Sequence, residues 1–232
     1  MTTQKKRVAV LISGRGSNML ALLKAAGDPN YPAEIVGVIS DNPDAKGLAI
    51  ASAHGISTAA FPRRDYPSKE AHDAAIDAEL ERLEAEIVCL AGYMRLLTPG
   101  FARKWAGKMV NIHPSLLPLF KGLDTHNRAI ESGMRVHGCS VHFVTPELDD
   151  GPVIAQAVVP ILPTDDADSL AARVLTVEHK LYPLAVRLLA LGKARMENDK
   201  AVLTGVAAEG ALMSPGSAPD DVDIESLARM TP

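Results

Sequence analysis

The sequence predicts an α/β protein: a single doubly wound, mostly parallel sheet, with an antiparallel C-terminal strand pair and a long C-terminal helix. Three observations lead there. Short apolar runs alternate with helical stretches through the first half of the chain, the pattern that makes successive strands parallel. After Gly133 two strand-like runs follow each other across a short loop, as an antiparallel pair does. An apolar stripe with helical spacing then begins near Asp166 and marks one long amphipathic helix.

Taken in order, residues 7–12 read as a buried strand ending in Ser13-Gly14-Arg15-Gly16-Ser17, with a helix expected over residues 18–26. Residues 36–40 form a second strand, Asp41-Asn42-Pro43-Asp44 turns the chain into a helix reaching Ala53, and residues 56–61 form a third strand. Ser68 is placed to cap a long helix running to Ala85, since its hydroxyl can accept from a free N–H of the first turn. Strands follow over residues 87–91 and 109–112, then the antiparallel pair over 137–144 and 153–161. In the last helix Leu170, Val174, Val177, Leu181, Leu184, Leu188 and Leu191 make the expected core stripe, and Pro183 is expected to kink it. A terminal hairpin is expected over residues 201–212, before a loose tail of proline, serine and acidic residues.

The 232 residues suffice for one α/β domain and are short for two; 47% hydrophobic and 22% charged residues argue against global disorder. A formal charge of -4 gives no electrostatic ground for nucleic-acid binding. No apolar run approaches the roughly twenty residues of a membrane helix. The run at residues 8–12 is too short for the core of a signal peptide, so a cytoplasmic location is expected. Cys89 and Cys139 stand far apart in apolar runs and read as buried structural thiols.

Gly14 and Gly16 lie between the first strand and the first helix. Glycines there let the backbone approach an anion, while the helix start offers free N–H groups and a positive dipole end. Ser17 can add a hydroxyl, and Asn18 can cap the helix. A monophosphate site, a dinucleotide site and a merely tight turn all remain open. The dinucleotide pattern needs a third glycine where this chain has Met19, although Asp41 stands where its acidic residue would be.

The segment from Asn111 to Pro118 is the most unusual in the chain. It follows the fifth strand, and ligands of open parallel sheets bind outside the carboxyl ends of the strands. On extended backbone Asn111 and His113 point to one side. Pro114 and Pro118 stiffen the loop, and Leu117-Pro118 is a candidate cis bond. An amide donor beside an imidazole suits acyl transfer to an amine: Asn111 can donate to the developing oxyanion, and His113 can stabilise it or carry a proton.

These residues, with Leu90-Ala91-Gly92-Tyr93-Met94-Arg95 and Asp149-Asp150-Gly151-Pro152-Val153, make the chain resemble the folate-dependent formyltransferases, in the expected order up to about residue 205. The resemblance implies transfer of a formyl group from 10-formyltetrahydrofolate, a co-substrate, to the primary amine of glycinamide ribonucleotide in de novo purine biosynthesis. No metal, nucleic-acid or membrane partner is expected, and the chain is expected to be a monomer or homodimer. Asn111, His113 and Asp149 are implied to be catalytic. Gly16, Ser17, Asn18 and Glu178 would hold the ribonucleotide and its phosphate, while Arg95, Leu96, Leu97 and Val144, with Asp149, would line the folate pocket. Residues 1–205 would form the catalytic domain, its N-terminal half binding phosphate and its C-terminal half folate, with residues 206–232 a hairpin remnant and tail.

Local chemistry gives Asp149 a part of its own, because a carboxylate can orient and charge an imidazole. Asp150 departs from the family's small residue, so the resemblance is what selects Asp149 over its neighbour. Lys121 and Asp124 depart from the proline and histidine frequent in the family. His126 and His142 read equally as site or structural histidines; His54, His72 and His179 read as surface or packing residues. A metal site of His113, His137 and His142 has no compact ligand spacing behind it. Rivals are a methionyl-tRNA formyltransferase, a formyltetrahydrofolate hydrolase and a non-catalytic nucleotide-binding module. The first two normally carry further domains, and the third has no need of Asn111, His113 and Asp149 together.

Overall fold

Strand β1 (Lys6–Ile12) is fully buried from Val8 to Ile12, the environment of a strand covered on both faces. The computed structural model describes residues 4–206. It adds α1 (Ser17–Ala26), β2 (Ala33–Ser40), α2 (Lys46–Ala53), β3 (Thr58–Ala60), α3 (Lys69–Arg82), β4 (Ile87–Leu90), α4 (Pro99–Lys104) and β5 (Met109–His113). After these come α5 (Thr125–Glu131), β6 (Val136–Phe143), β7 (Val153–Pro160), α6 (Ala167–Ala190), β8 (Ala194–Glu197) and β9 (Lys200–Leu203).

The main sheet has the order β3-β2-β1-β4-β5-β6-β7. Its pairs are parallel through β5, and β6 is antiparallel to both β5 and β7. Side-chain alternation along β1 divides the core. Val8, Val10 and Ile12 pack with Met19 and Leu22 of α1 and with Leu170, Val174 and Tyr182 of α6. Ala9 and Leu11 face the opposite way, onto Ile76 and Leu80 of α3 and Phe101 of α4. The chain leaves β1 toward β2 on one side and returns to β4 on the other, so a crevice opens between the carboxyl ends of β1 and β4.

Ser68 caps α3 as its position suggests, accepting from the Ala71 N–H. Asn18 caps nothing: Gly16 is the N-cap of α1, at φ +75°, and the Asn18 amide is spent elsewhere. Helix α6 begins in a capping box between Asp166 and Ser169 and runs unbroken past Pro183. Its buried face is Leu170, Val174, Glu178, Leu181, Tyr182, Ala185 and Val186, whereas Leu184 and Leu191 are half exposed. The stripe therefore drifts around the helix, because a 3.6-residue repeat does not keep steps of three and four in line over such a length.

Tyr182 has no accessible surface, and its hydroxyl donates to the Leu90 carbonyl (2.9 Å) and lies 3.2 Å from that of Val110. The last hairpin lies earlier than expected, as β8 and β9, because Asn198 and Asp199 both take positive φ and supply a two-residue turn. Residues 207–212 of the expected hairpin, and the tail, lie outside the described residues.

Candidate active site

Three groups of side chains gather at the carboxyl edge of the sheet. The first rests on β5. Val110 and Ile112 enter the core beneath α1 and α6, so Asn111 and His113 point to the other face, on the side of Met109. Antiparallel register sets His142 of β6 directly opposite Asn111, and opposite residues of such a pair share a face. Asn111 Nδ2 accordingly lies 3.2 Å from His142 Nε2, and His142 Nδ1 lies 2.9 Å from the Phe143 carbonyl. With Nδ1 donating to that carbonyl, Nε2 is free to accept from the amide and so fixes the way Asn111 points. Burial holds the His142 pKa down, against the Phe143 carbonyl and the Asp149 carboxylate, which favour the cation.

Asp149 completes this group from the turn between β6 and β7. Its Oδ2 lies 3.4 Å from His113 Nδ1, its Oδ1 lies 3.8 Å from His142 Nε2, and the Gly122 N–H donates to Oδ2 at 3.0 Å. The residue sits at φ +49°, a left-handed conformation that a non-glycine residue keeps only where its surroundings hold it. Gly151 is required two residues on, since a Cβ there would lie 1.8 Å from the Phe143 carbonyl oxygen. The adjacent carboxylates are thereby sorted: Asp149 turns inward to His113, and Asp150 turns outward to Lys121. The second nitrogen of His113, Nε2, lies 3.0 Å from the Phe120 carbonyl, so both ring nitrogens face acceptors.

The loop after β5 is pinned from behind. Ser140 Oγ donates to the Ser115 carbonyl (2.7 Å) and accepts from the Leu117 N–H (3.0 Å). Gln156 Nε2 donates to the Leu117 carbonyl at 2.9 Å, and Thr125 Oγ1 to that of Pro114 at 2.7 Å. The Leu117-Pro118 bond is cis.

The second group surrounds the glycine turn. The Gly47 N–H donates to the Gly14 carbonyl at 3.1 Å, and a Cβ on Gly16 would come within 2.9 Å of both Gly47 Cα and Met19 Cε. Asn18 Nδ2 donates to Glu178 Oε2 at 2.6 Å, joining the first turn of α1 to α6. Burial pushes the Glu178 pKa up, and the Asn18 bond offsets part of that.

The third group lies at the end of β4. Arg95 Nε donates to Asp41 Oδ2 at 2.7 Å, with the carboxylate buried and the guanidinium half exposed. Asp41, the would-be ribose ligand of a dinucleotide site, is thus engaged by an arginine. Met94 and Leu96 are 64% and 59% exposed beside it, while Leu97 and Val144 pack partly against the core. Such an apolar rim around a guanidinium suits a ligand with a flat ring and an anionic end. Among the described residues, no group of three or more His, Cys, Asp or Glu is placed to hold a metal ion, and no helix is long and apolar enough to cross a membrane.

The sequence profile of the formyl transferase family matches residues 6–186. The chain belongs to the formyl transferase family. This formyl transferase is 43% identical to the phosphoribosylglycinamide formyltransferase of Haemophilus influenzae, over 87% of the chain and 95% of that protein. It is 47% identical to a trifunctional purine biosynthetic protein adenosine-3 of Bos taurus over 85% of its own length, yet spans only 20% of that larger protein. Among solved structures, the phosphoribosylglycinamide formyltransferase of Brucella melitensis superposes with a TM-score of 0.78 at 56% identity, over 81% of this chain and 96% of that one.

The geometry brings Asn111, His113 and Asp149 together, pairs Asn18 with Glu178, and sets Arg95 beside the exposed Leu96. The Met94 N–H donates to Ser13 Oγ at 2.8 Å, tying the third group to the glycine turn. His142 was ambiguous in sequence; its signal was the register of two strands, which no spacing along the chain displays. The acceptor at Phe120 and the donor at Gly122 are backbone groups and leave no residue-type signature.

Proposed function

We propose that this enzyme transfers the formyl group of 10-formyltetrahydrofolate to the primary amine of glycinamide ribonucleotide, giving formylglycinamide ribonucleotide and tetrahydrofolate. The observation that carries this reading is the convergence of the Asn111 amide, the His113 ring and the Asp149 carboxylate at the end of β5. The names of the Haemophilus and Brucella relatives support the choice of acceptor.

In this reading Gly16, Ser17 and Asn18 present the start of α1 to the substrate phosphate, and Glu178 meets the ribonucleotide beside Asn18. Arg95, Leu96, Leu97 and Val144 receive the folate, with Asp149 at the inner end of that pocket. Residues 1–205 form the catalytic unit. The amine attacks the formyl carbon; one C–N bond forms, the bond to the folate nitrogen breaks, and one proton passes from the amine to the leaving nitrogen. Asn111 donates to the oxyanion while that charge develops, a contribution of roughly 3 kcal/mol where such a donor has been removed. His113, oriented by Asp149, stabilises the same oxygen and carries the proton through Nε2, which first gives up its contact with the Phe120 carbonyl; such help is worth about 10² to 10⁴ in rate. His142 orients Asn111. No covalent enzyme intermediate is needed, and positioning supplies much of the remainder.

The test is a spectroscopic assay of folate turnover with and without glycinamide ribonucleotide. Turnover is expected only with the amine. Turnover in its absence would make the chain a hydrolase, and none in either condition would leave only a binding module.

A further inference from the structure

Asp150 and Lys121 meet as an ion pair. The two loops touch at consecutive residues. Lys121 pairs with Asp150, while Gly122 donates its N–H to Asp149. Both contacts join the turn between β6 and β7 to the loop after Pro118, and that same loop offers its Phe120 carbonyl to His113.

The loop is strongly bent, with Phe120, Gly122 and Asp124 all at positive φ, and Arg128 of α5 braces it. Arg128 Nη1 donates to the carbonyls of Lys121 (2.7 Å) and Leu123 (3.2 Å), and its guanidinium lies 5.5 Å from the Phe120 ring centre. On the facing turn, Asp149 holds its left-handed conformation against His113 and Gly122.

We infer that Lys121 and Asp150 are positioning residues: their ion pair latches the Phe120–Gly122 loop onto the Asp149 turn and holds Asp149 against His113. This rests on the proposed formyl transfer only for its catalytic consequence, because the latch itself is a contact between two loops. The pair is partly exposed, so it acts through geometry and is screened by salt.

Charge exchange tests it. Lys121→Glu and Asp150→Lys each set like charges together, and the double variant restores an opposite pair in reversed order. Two readouts are followed: kcat/KM for the amine substrate, and the rate of chymotryptic cleavage after Phe120 in the full chain. Each single variant is expected to lower kcat/KM and speed cleavage by about two- to five-fold, and the double variant to recover most of both. In the wild type, cleavage is expected to quicken between low and high salt.

Equal cleavage rates in all four proteins would overturn the latch, as would a double variant no better than the worse single one. Normal cleavage changes with no effect on kcat/KM would overturn the positioning role. A wild type that fails to transfer formyl at all sinks the proposed reaction instead, and the cleavage arm still decides the latch.

Discussion

Lowering the pH from 7.5 to 4.5 is expected to cost this fold about 2–3 kcal/mol through His137 alone. The ring has no accessible surface and lies edge-on to His126 at 5.2 Å and to Phe120 at 6.0 Å. Burial drives its pKa from 6.5 down to about 4, helped by repulsion from His126 and His113 and opposed by the Pro114 carbonyl. Because the folded value lies below the unfolded one, the unfolded chain binds the proton first. Stability is intact above pH 6.5 and drains away as the pH falls toward 4. At pH 4.5 about two pH units of that gap have been crossed, each worth roughly 1.4 kcal/mol.

The comparison protein is His137→Leu, which keeps an apolar side chain in the same space and has no proton to bind. Its urea-unfolding free energy should fall less steeply over this range than the wild type's, by the stated amount. His126, His142 and His179 are also shifted down and act in the same direction, but they are common to both proteins. Free-energy curves that stay parallel from pH 7.5 to 4.5 would refute the reasoning.

Removing the amide in Asn111→Ala should lower kcat by about 10² to 10³ with an unchanged circular dichroism spectrum. Asp149→Asn should cost a comparable factor; near-wild-type turnover in both variants would sink the proposed site. Gly16→Ala places a Cβ against Gly47 Cα at a positive φ, so KM for the phosphorylated amine should rise and urea stability fall by roughly 1–2 kcal/mol. Tyr182→Phe leaves the Leu90 carbonyl without its buried donor; thermal unfolding should report a loss of about 1–2 kcal/mol, and an unchanged melting temperature would count against that bond.

Much of the parallel half of the fold was legible because its strands are continuous apolar runs and its helices carry caps such as Ser68. Short elements were not. Helices α4 and α5 have too few turns to show a period, and the hairpin turn at Asn198 and Asp199 lies ahead of the stretch that the sequence predicts. Leu184 and Leu191 satisfy the spacing of a core stripe and still face outward, because spacing does not say which way a long helix rotates over the sheet. In the site, Asn111, His113 and Asp149 could be named from residue type and resemblance. What holds them could not: His142 arrives by strand register, Ser140 and Gln156 by the β6–β7 pairing, and Arg95 finds Asp41 across the crevice. Asn18 looked like a cap and is a partner of Glu178, a contact between residues that only the closed tertiary structure brings together.

That last contact has a consequence for how the enzyme comes into being. Asn18 is made early and Glu178 late, and their bond spans 160 positions of sequence. On the ribosome the glycine turn emerges long before the helix that fastens it, so the parallel strands can begin to assemble while the first turn of α1 has no anchor. Protein made without α6 would keep Asn111, His113 and Asp149 and lack the partner of Asn18. The first turn of α1 is thus fastened late in synthesis, when α6 folds back onto the helix made first.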